Sequence, residues 1–199
     1  MFKLKHVSSL VLVAVAAMAL AQNKRTAVVG PWIFDQGTET SRQTAIDTVI
    51  SIADKRGYAE VSKDQALKLY NQMQPPMAFS RGLPKHDDLR RYARAAGADV
   101  VLYGIVRWHT RSLWVGTGPK TVSTATADVY AYDARSNRVV YSRRGAKGRS
   151  DEKENGLKDI ADLVLTPLVT VVSGGPATPR EQRAVQIALG RAYRGWPNS

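Results

Sequence analysis

The segment DVVLYGIVRW, residues 99–108, constrains the fold more than any other part of the sequence. Its odd-numbered and even-numbered positions are both apolar. Successive side chains of a β-strand point to opposite faces of the sheet, so a strand of this kind must be covered on both sides. The sequence therefore predicts a central strand in a sheet with two buried faces.

Short-range patterns predict the elements around this strand. The chain before it begins with a strand over 26–34 that bends at Gly30-Pro31, followed by a helix that Thr40 caps and Gly57 stops. A short strand over 58–61, a helix capped by Ser62 and a third helix that ends at Gly97 come next. After it come strands over 121–132 and 138–144 joined by the turn-forming residues 133–137, a helix capped by Ser150, and a last helix over 179–194 that Thr178 and Glu181 cap. The prediction is an α/β (α+β) fold with a mixed sheet, in the order β-α-β-α-α-β-β-β-α with an appended C-terminal helix.

Residues 1–21 have the pattern of a secretory signal peptide. Lys3 and Lys5 precede the apolar stretch 10–20, and Ala21 ends a small-residue cleavage pattern. The alternative is a membrane anchor, but the uncharged run 7–22 is shorter than the roughly 20 residues that a spanning helix needs. We expect an exported protein, periplasmic or extracellular after cleavage near Ala21, with one envelope domain over 22–175 and a C-terminal amphipathic helix and tail over 176–199.

The chain is strongly cationic, with 29 Lys and Arg against 17 Asp and Glu. An exported basic protein does not meet chromosomal DNA, so we expect no nucleic-acid partner; the expected partner is an envelope protein or an anionic cell-wall polymer. The alternative to an anionic partner is that the positive surface only keeps the protein soluble. The chain has no cysteine, which excludes disulfides, thiolate metal sites and a lipidated cysteine.

Residue patterns for catalysis or cofactor binding are weak. The segment GTGPKT, residues 116–121, resembles a phosphate-binding loop, but Pro119 stands where a glycine is needed and the segment joins two predicted strands. Beyond the signal peptide only His86 and His109 remain as histidines, and neither has the spacing of a zinc motif. No serine lies in a G-x-S-x-G elbow. We expect no enzyme activity, no cofactor and no metal.

The candidate binding residues are a basic cluster and the aromatic residues near the central strand. A strand sends neighbouring residues to opposite faces, so we expect only a subset of the cluster to form one anion-binding patch; the alternative is a solvated sheet edge that repels strand addition. The 103–121 region, expected to be partly a loop, offers Tyr103 and an exposed Trp114 for contact with a partner, whereas Trp108 suits the core. The basic cluster consists of Arg135, Arg138, Arg143, Arg144, Lys147 and Arg149.

Two segments carry a resemblance to a known superfamily. The sequence GADVVLYG, residues 97–104, follows a helix, and VYAYDARSNRVVYS, residues 129–142, spans a strand pair. This pattern resembles an envelope domain of the curli secretion channel lipoproteins, the lipoprotein activators of penicillin-binding proteins (LpoB-like proteins) and the N-terminal domain of the Tol propeller protein. Ser136-Asn137 stands where Thr-Gly is usual in that superfamily.

The resemblance implies a non-enzymatic binding or assembly module outside the cytoplasm, over roughly residues 25–173. The chain departs from the lipoprotein members because it has no lipobox cysteine. The sequence as a whole therefore indicates an exported adaptor protein that contacts its partner through the 103–121 region and the basic cluster. The alternatives are a peripheral protein held on acidic lipids and, less favoured, a cell-wall hydrolase. The oligomeric state is not predicted.

Overall fold

The computed structural model describes residues 24–80, 82–116, 118–152 and 178–199. Its elements are β1 (Thr26–Asp35), α1 (Glu39–Lys55), β2 (Ala59–Glu60), α2 (Lys63–Gln72), β3 (Phe79–Ser80), β4 (Leu83–Pro84), α3 (His86–Ala96), β5 (Val100–Val115), β6 (Gly118–Asp133), β7 (Arg138–Arg149) and α4 (Thr178–Tyr193). The predicted fold class is confirmed. The small hairpin β3–β4 was not predicted, and the helix expected after Ser150 lies outside the described residues apart from its first three positions.

The main sheet has five strands in the order β2-β1-β5-β6-β7. β1 pairs in parallel with β2 and β5, whereas β5–β6 and β6–β7 are antiparallel, so the sheet is mixed as predicted. The register between β1 and β5 shifts between Val29 and Trp32. Pro31 lies within this shift and has no N–H for the ladder, which accounts for the irregularity at the predicted bend.

Both faces of β5 are buried over residues 100–106, as the apolar segment 99–108 predicted. Leu102 and Val106 belong to the core that α1 and α4 share with the sheet. Val101 and Tyr103 belong to a second core, to which α2 and α3 contribute. The sheet is therefore a central layer with α1 and α4 on one side and α2 and α3 on the other.

Helix α4 is part of the main core and not a loosely attached appendage. It packs on the sheet and on α1, and the apolar side chains of its inner face are fully buried. Beyond its end, the Trp196 ring stacks on Tyr58 with the ring centroids 4.6 Å apart. Helix α4 therefore docks on its own domain. The buried side chains include Ala184, Val185, Ile187, Ala188, Leu189 and Ala192.

One predicted helix cap differs from the structure: the N-cap of α1 is Thr38, whose side chain accepts from the Ser41 N–H, and not Thr40. Glu181 contacts the same helix end: its Oε2 accepts hydrogen bonds from the Thr38 N–H at 3.0 Å and the Ser41 hydroxyl at 2.9 Å. A buried carboxylate of α4 therefore stabilises the positive N-terminal end of α1. The Ser62 cap of α2 is confirmed.

No helix in the described part of the chain combines the length and the apolar character that crossing a membrane requires.

Candidate functional site

The 103–121 region is a paired hairpin in the structure and not a loop. β5 runs to Val115, β6 begins at Gly118, and the two strands pair along their whole length, from Val100 with Asp133 to Val115 with Gly118. Cross-strand hydrogen bonds therefore satisfy the backbone that the sequence analysis assigned to a loop. The strand prediction for 99–108 was too short because the polar residues that follow Trp108 do not alternate clearly with apolar ones.

The aromatic residues proposed for binding separate into buried and exposed ones. Tyr103 is 2% exposed and stacks on Tyr130 with the ring centroids 5.2 Å apart; burial raises the pKa of its hydroxyl to about 12. The expected surface position of Tyr103 is therefore wrong, because its side chain faces the α2–α3 core. Trp108 is buried as expected, and its indole N–H donates to the Glu181 carbonyl. Trp114 is 79% exposed, as expected.

Two residues of the predicted basic cluster, Arg143 and Lys147, line a cleft of about 770 Å³ between β7 and the C-terminal end of α4. Arg191 and Arg194 complete its cationic lining. The other lining residues are Tyr141, Ser142, Gly145, Ala146 and Gly195. None of the described lining residues is acidic. We call this space the cationic cleft.

Hydrogen bonds fix the walls of the cationic cleft. The Arg191 guanidinium donates to both carboxylate oxygens of Glu152 and, at 2.7 Å, to the Lys147 carbonyl. This orients Arg191 and joins α4 to β7. The Tyr141 hydroxyl donates to the Ala192 carbonyl, and burial raises its pKa, so it carries no negative charge at neutral pH. The walls are therefore held in place before any ligand binds.

The other four residues of the predicted basic cluster lie outside the cleft. Arg135 forms an ion pair with Asp99 at 2.7 Å, and Arg149 forms one with Asp151 at 3.0 Å. The Arg144 guanidinium lies over the Tyr130 ring, 5.6 Å from its centroid. Arg138 is exposed and pairs in register with Asp133 at the start of β7. Of the six predicted residues, Arg143 and Lys147 therefore share the cleft, and anion binding by this subset stays a prediction.

Arg191 and Arg194 are cleft residues that no sequence pattern indicated. They lie 42 and 45 positions beyond Arg149, the last residue of β7, in the last helix and just after it. No local pattern shows that α4 crosses beside β7. The one available signal is Gly148: a glycine within a strand can mark a place where another backbone approaches closely, and here α4 does so.

Acidic residues and histidines do not gather into a metal-binding cluster in the described ranges. No group of three His, Cys, Asp or Glu side chains there is placed to hold a metal ion. Asp128 has a lowered pKa: burial alone would raise it, but hydrogen bonds from Arg107 and the Gly145 N–H outweigh burial. This carboxylate is thus held ionised by structural partners on the sheet surface.

These features define a layered mixed α/β domain with a cationic cleft. No family model matches the chain, and no curated protein matches it. Solved structures that it resembles include the lipoprotein GNA1162 from Neisseria meningitidis, at 16% identity and a TM-score of 0.45, with 67% of this chain and 89% of that chain covered. The LpoB C-terminal domain from Escherichia coli matches at 16% identity and a TM-score of 0.41, with coverage of 67% and 91%.

A third similar structure is the hypothetical protein CT253 from Chlamydia trachomatis, at 11% identity and a TM-score of 0.41, with coverage of 84% and 95%. LpoB belongs to one of the three groups that the sequence resembles; the resemblance to the secretion channel and to the Tol propeller protein stays a prediction. All three TM-scores are below 0.5.

Proposed function

We propose that this protein is a non-enzymatic binding module of the cell envelope that holds an anionic partner in the cationic cleft. The observation that carries the proposal is the convergence of Arg143, Lys147, Arg191 and Arg194 on one space whose described lining contains no carboxylate. The partner is an anionic wall polymer or the acidic surface of an envelope protein. The signal-peptide pattern of residues 1–21 supports export to this location.

The chemistry of the cleft suits recognition of oxyanions. Arginine presents a planar fork of donors that matches carboxylate and phosphate groups, and lysine adds a compact charge. A volume of about 770 Å³ lies within the range of ordinary ligand sites. The uncharged residues Ser142 and Gly145 also line the cleft. Binding of an anionic group by such a site requires neither a nucleophile nor a general base.

Charge reversal in the cleft tests the proposal. The variant R143E/K147E is compared with K68E/K85E, which changes two exposed lysines on α2 and before α3, on the opposite side of the sheet. Both variants change the net charge equally. Binding is measured by co-sedimentation with isolated wall sacculi, with and without their anionic polymers, and by recovery of envelope proteins on the immobilised protein.

We expect R143E/K147E to bind its partner at least about tenfold more weakly, because charge-assisted hydrogen bonds are lost, and K68E/K85E to bind as the wild type does. Sacculi stripped of anionic polymer distinguish the polymer from a protein partner. Equal recovery by the two variants would remove the cleft from the proposal. Release of soluble wall fragments by the wild-type protein would favour the hydrolase alternative instead.

A further inference from the structure

The distal end of the β5–β6 hairpin extends beyond the three-stranded part of the sheet. β7 ends at Arg149, opposite Thr124, so in the described part of the chain only two strands continue from there. Residues 110–115 of β5 and 118–123 of β6 form this ribbon. Six residues in a strand span about 20 Å. We call this ribbon the hairpin tip.

The most exposed large apolar side chain described is in the hairpin tip. Trp114 is 79% exposed, compared with 57% for Leu67, 42% for Phe79 and 41% for Val140. A tryptophan ring has a large apolar surface and one polar N–H, a combination that favours the interface between lipid headgroups and hydrocarbon. Its position near the end of a hairpin makes the ring accessible to a flat surface.

The hairpin tip is also positively charged. Residues 107–127 contain Arg107, His109, Arg111 and Lys120 and no Asp or Glu. Arg107 is held by Asp128 at 2.9 Å at the base of the ribbon, and Lys120 lies 4.0 Å from Asp151 with over half of its side chain exposed. An anionic surface is therefore the complementary partner for this segment.

We propose that the hairpin tip docks end-on on an anionic lipid bilayer, with Trp114 among the headgroups and Arg111 and Lys120 beside lipid phosphates. The pairing register places Arg111 and Lys120 on one face of the ribbon and Trp114 on the other, so an end-on approach brings all three to the surface. The two strands of the tip, 110–115 and 118–123, offer fewer residues than the roughly 20–30 that each partner contributes to a stable protein interface. One aromatic ring and a few cations suffice for reversible attachment to acidic lipid. This inference uses other residues than the cationic cleft and goes beyond the proposed function.

Vesicle binding tests the inference. The full protein is sedimented with phosphatidylcholine vesicles that contain phosphatidylglycerol and with vesicles of phosphatidylcholine alone, at low and high salt. We expect binding to the anionic vesicles only, weakened by salt, and quenching of tryptophan emission by brominated lipid. W114A should lower the partition coefficient about tenfold and abolish this quenching. R111Q/K120Q should lower it about fivefold for each cation removed.

Three comparisons keep the result interpretable. L67A removes an exposed leucine of α2, far from the hairpin tip in the fold, and should bind vesicles as the wild type does. Circular dichroism of W114A should match the wild type because the replaced ring is exposed. R143E/K147E should still bind vesicles, because both substitutions lie outside the hairpin tip. Absence of wild-type binding to anionic vesicles, or loss with R143E/K147E but not with W114A, would overturn the inference.

Discussion

Replacing Gly148 by alanine tests how closely α4 is held against β7. A Cβ atom at Gly148 would lie 2.2 Å from the Ala184 carbonyl oxygen, 2.5 Å from the Ala188 nitrogen and 2.8 Å from the Ile187 Cβ. Two of these three atoms belong to the backbone of α4. A rotamer change cannot relieve such contacts, so the helix itself must move away from the strand.

The size of the effect follows from what this movement disturbs. Excess volume in a packed core costs about 1–3 kcal/mol when side chains can adjust. Here the helix must shift and loosen the burial of Val185 and Leu189, both 0% exposed, so we expect a loss of about 3 kcal/mol in the free energy of unfolding. For a chain of this length that corresponds to a fall in Tm of about 6–12 °C.

Urea and thermal unfolding followed by circular dichroism measure this loss. The matched control is G195A, since a Cβ at Gly195 would meet only the Tyr141 ring, at 3.7 Å from its hydroxyl oxygen, an ordinary contact. G195A should unfold as the wild type does. G148A should also weaken binding in the cationic cleft, because its two walls belong to β7 and the end of α4. A G148A protein with wild-type stability would refute the close packing of α4 on β7.

Two further predictions concern buried carboxylates. E181A removes the acceptor at the N terminus of α1 and should lower the free energy of unfolding by about 2–3 kcal/mol, measured by urea denaturation at neutral pH; unchanged stability would contradict the assigned contact. Burial would raise the pKa of Asp133, but hydrogen bonds from the Ser136 N–H and from Arg25 outweigh it and lower the pKa. A lowered pKa in the folded state stabilises the protein above the ordinary pKa of Asp, and this stabilisation is lost as the pH falls through the folded-state pKa. D133N should therefore show a shallower decrease of stability between about pH 5 and pH 2 than the wild type; equal slopes in acid urea titrations would contradict this.

The candidate site shows which parts of a binding surface a sequence can reveal. The basic residues of the segment 135–149 are evident from the sequence, but their grouping depends on β7, where the register with β6 shifts between Ala127 and Val129 and again between Ala131 and Tyr132. Each shift changes which side chains share a face. Tyr103 is a different case: it lies inside the apolar segment 99–108, both of whose faces must be covered, and the tertiary structure adds only that α2 and α3 are the elements that cover its ring.

The sequence alone determined the order of the described strands and helices apart from the short β3–β4 hairpin, because hydrophobic periodicity, caps and turn residues act over a few positions. The apolar segment 99–108 also required a sheet covered on both faces, whatever elements covered it. The tertiary structure decided that α4 lies in the main core, that the end of this helix forms the cationic cleft with β7, and that β5 and β6 continue as a paired hairpin to Trp114. These features depend on contacts between residues far apart in the chain, and such contacts leave no pattern in either segment taken separately.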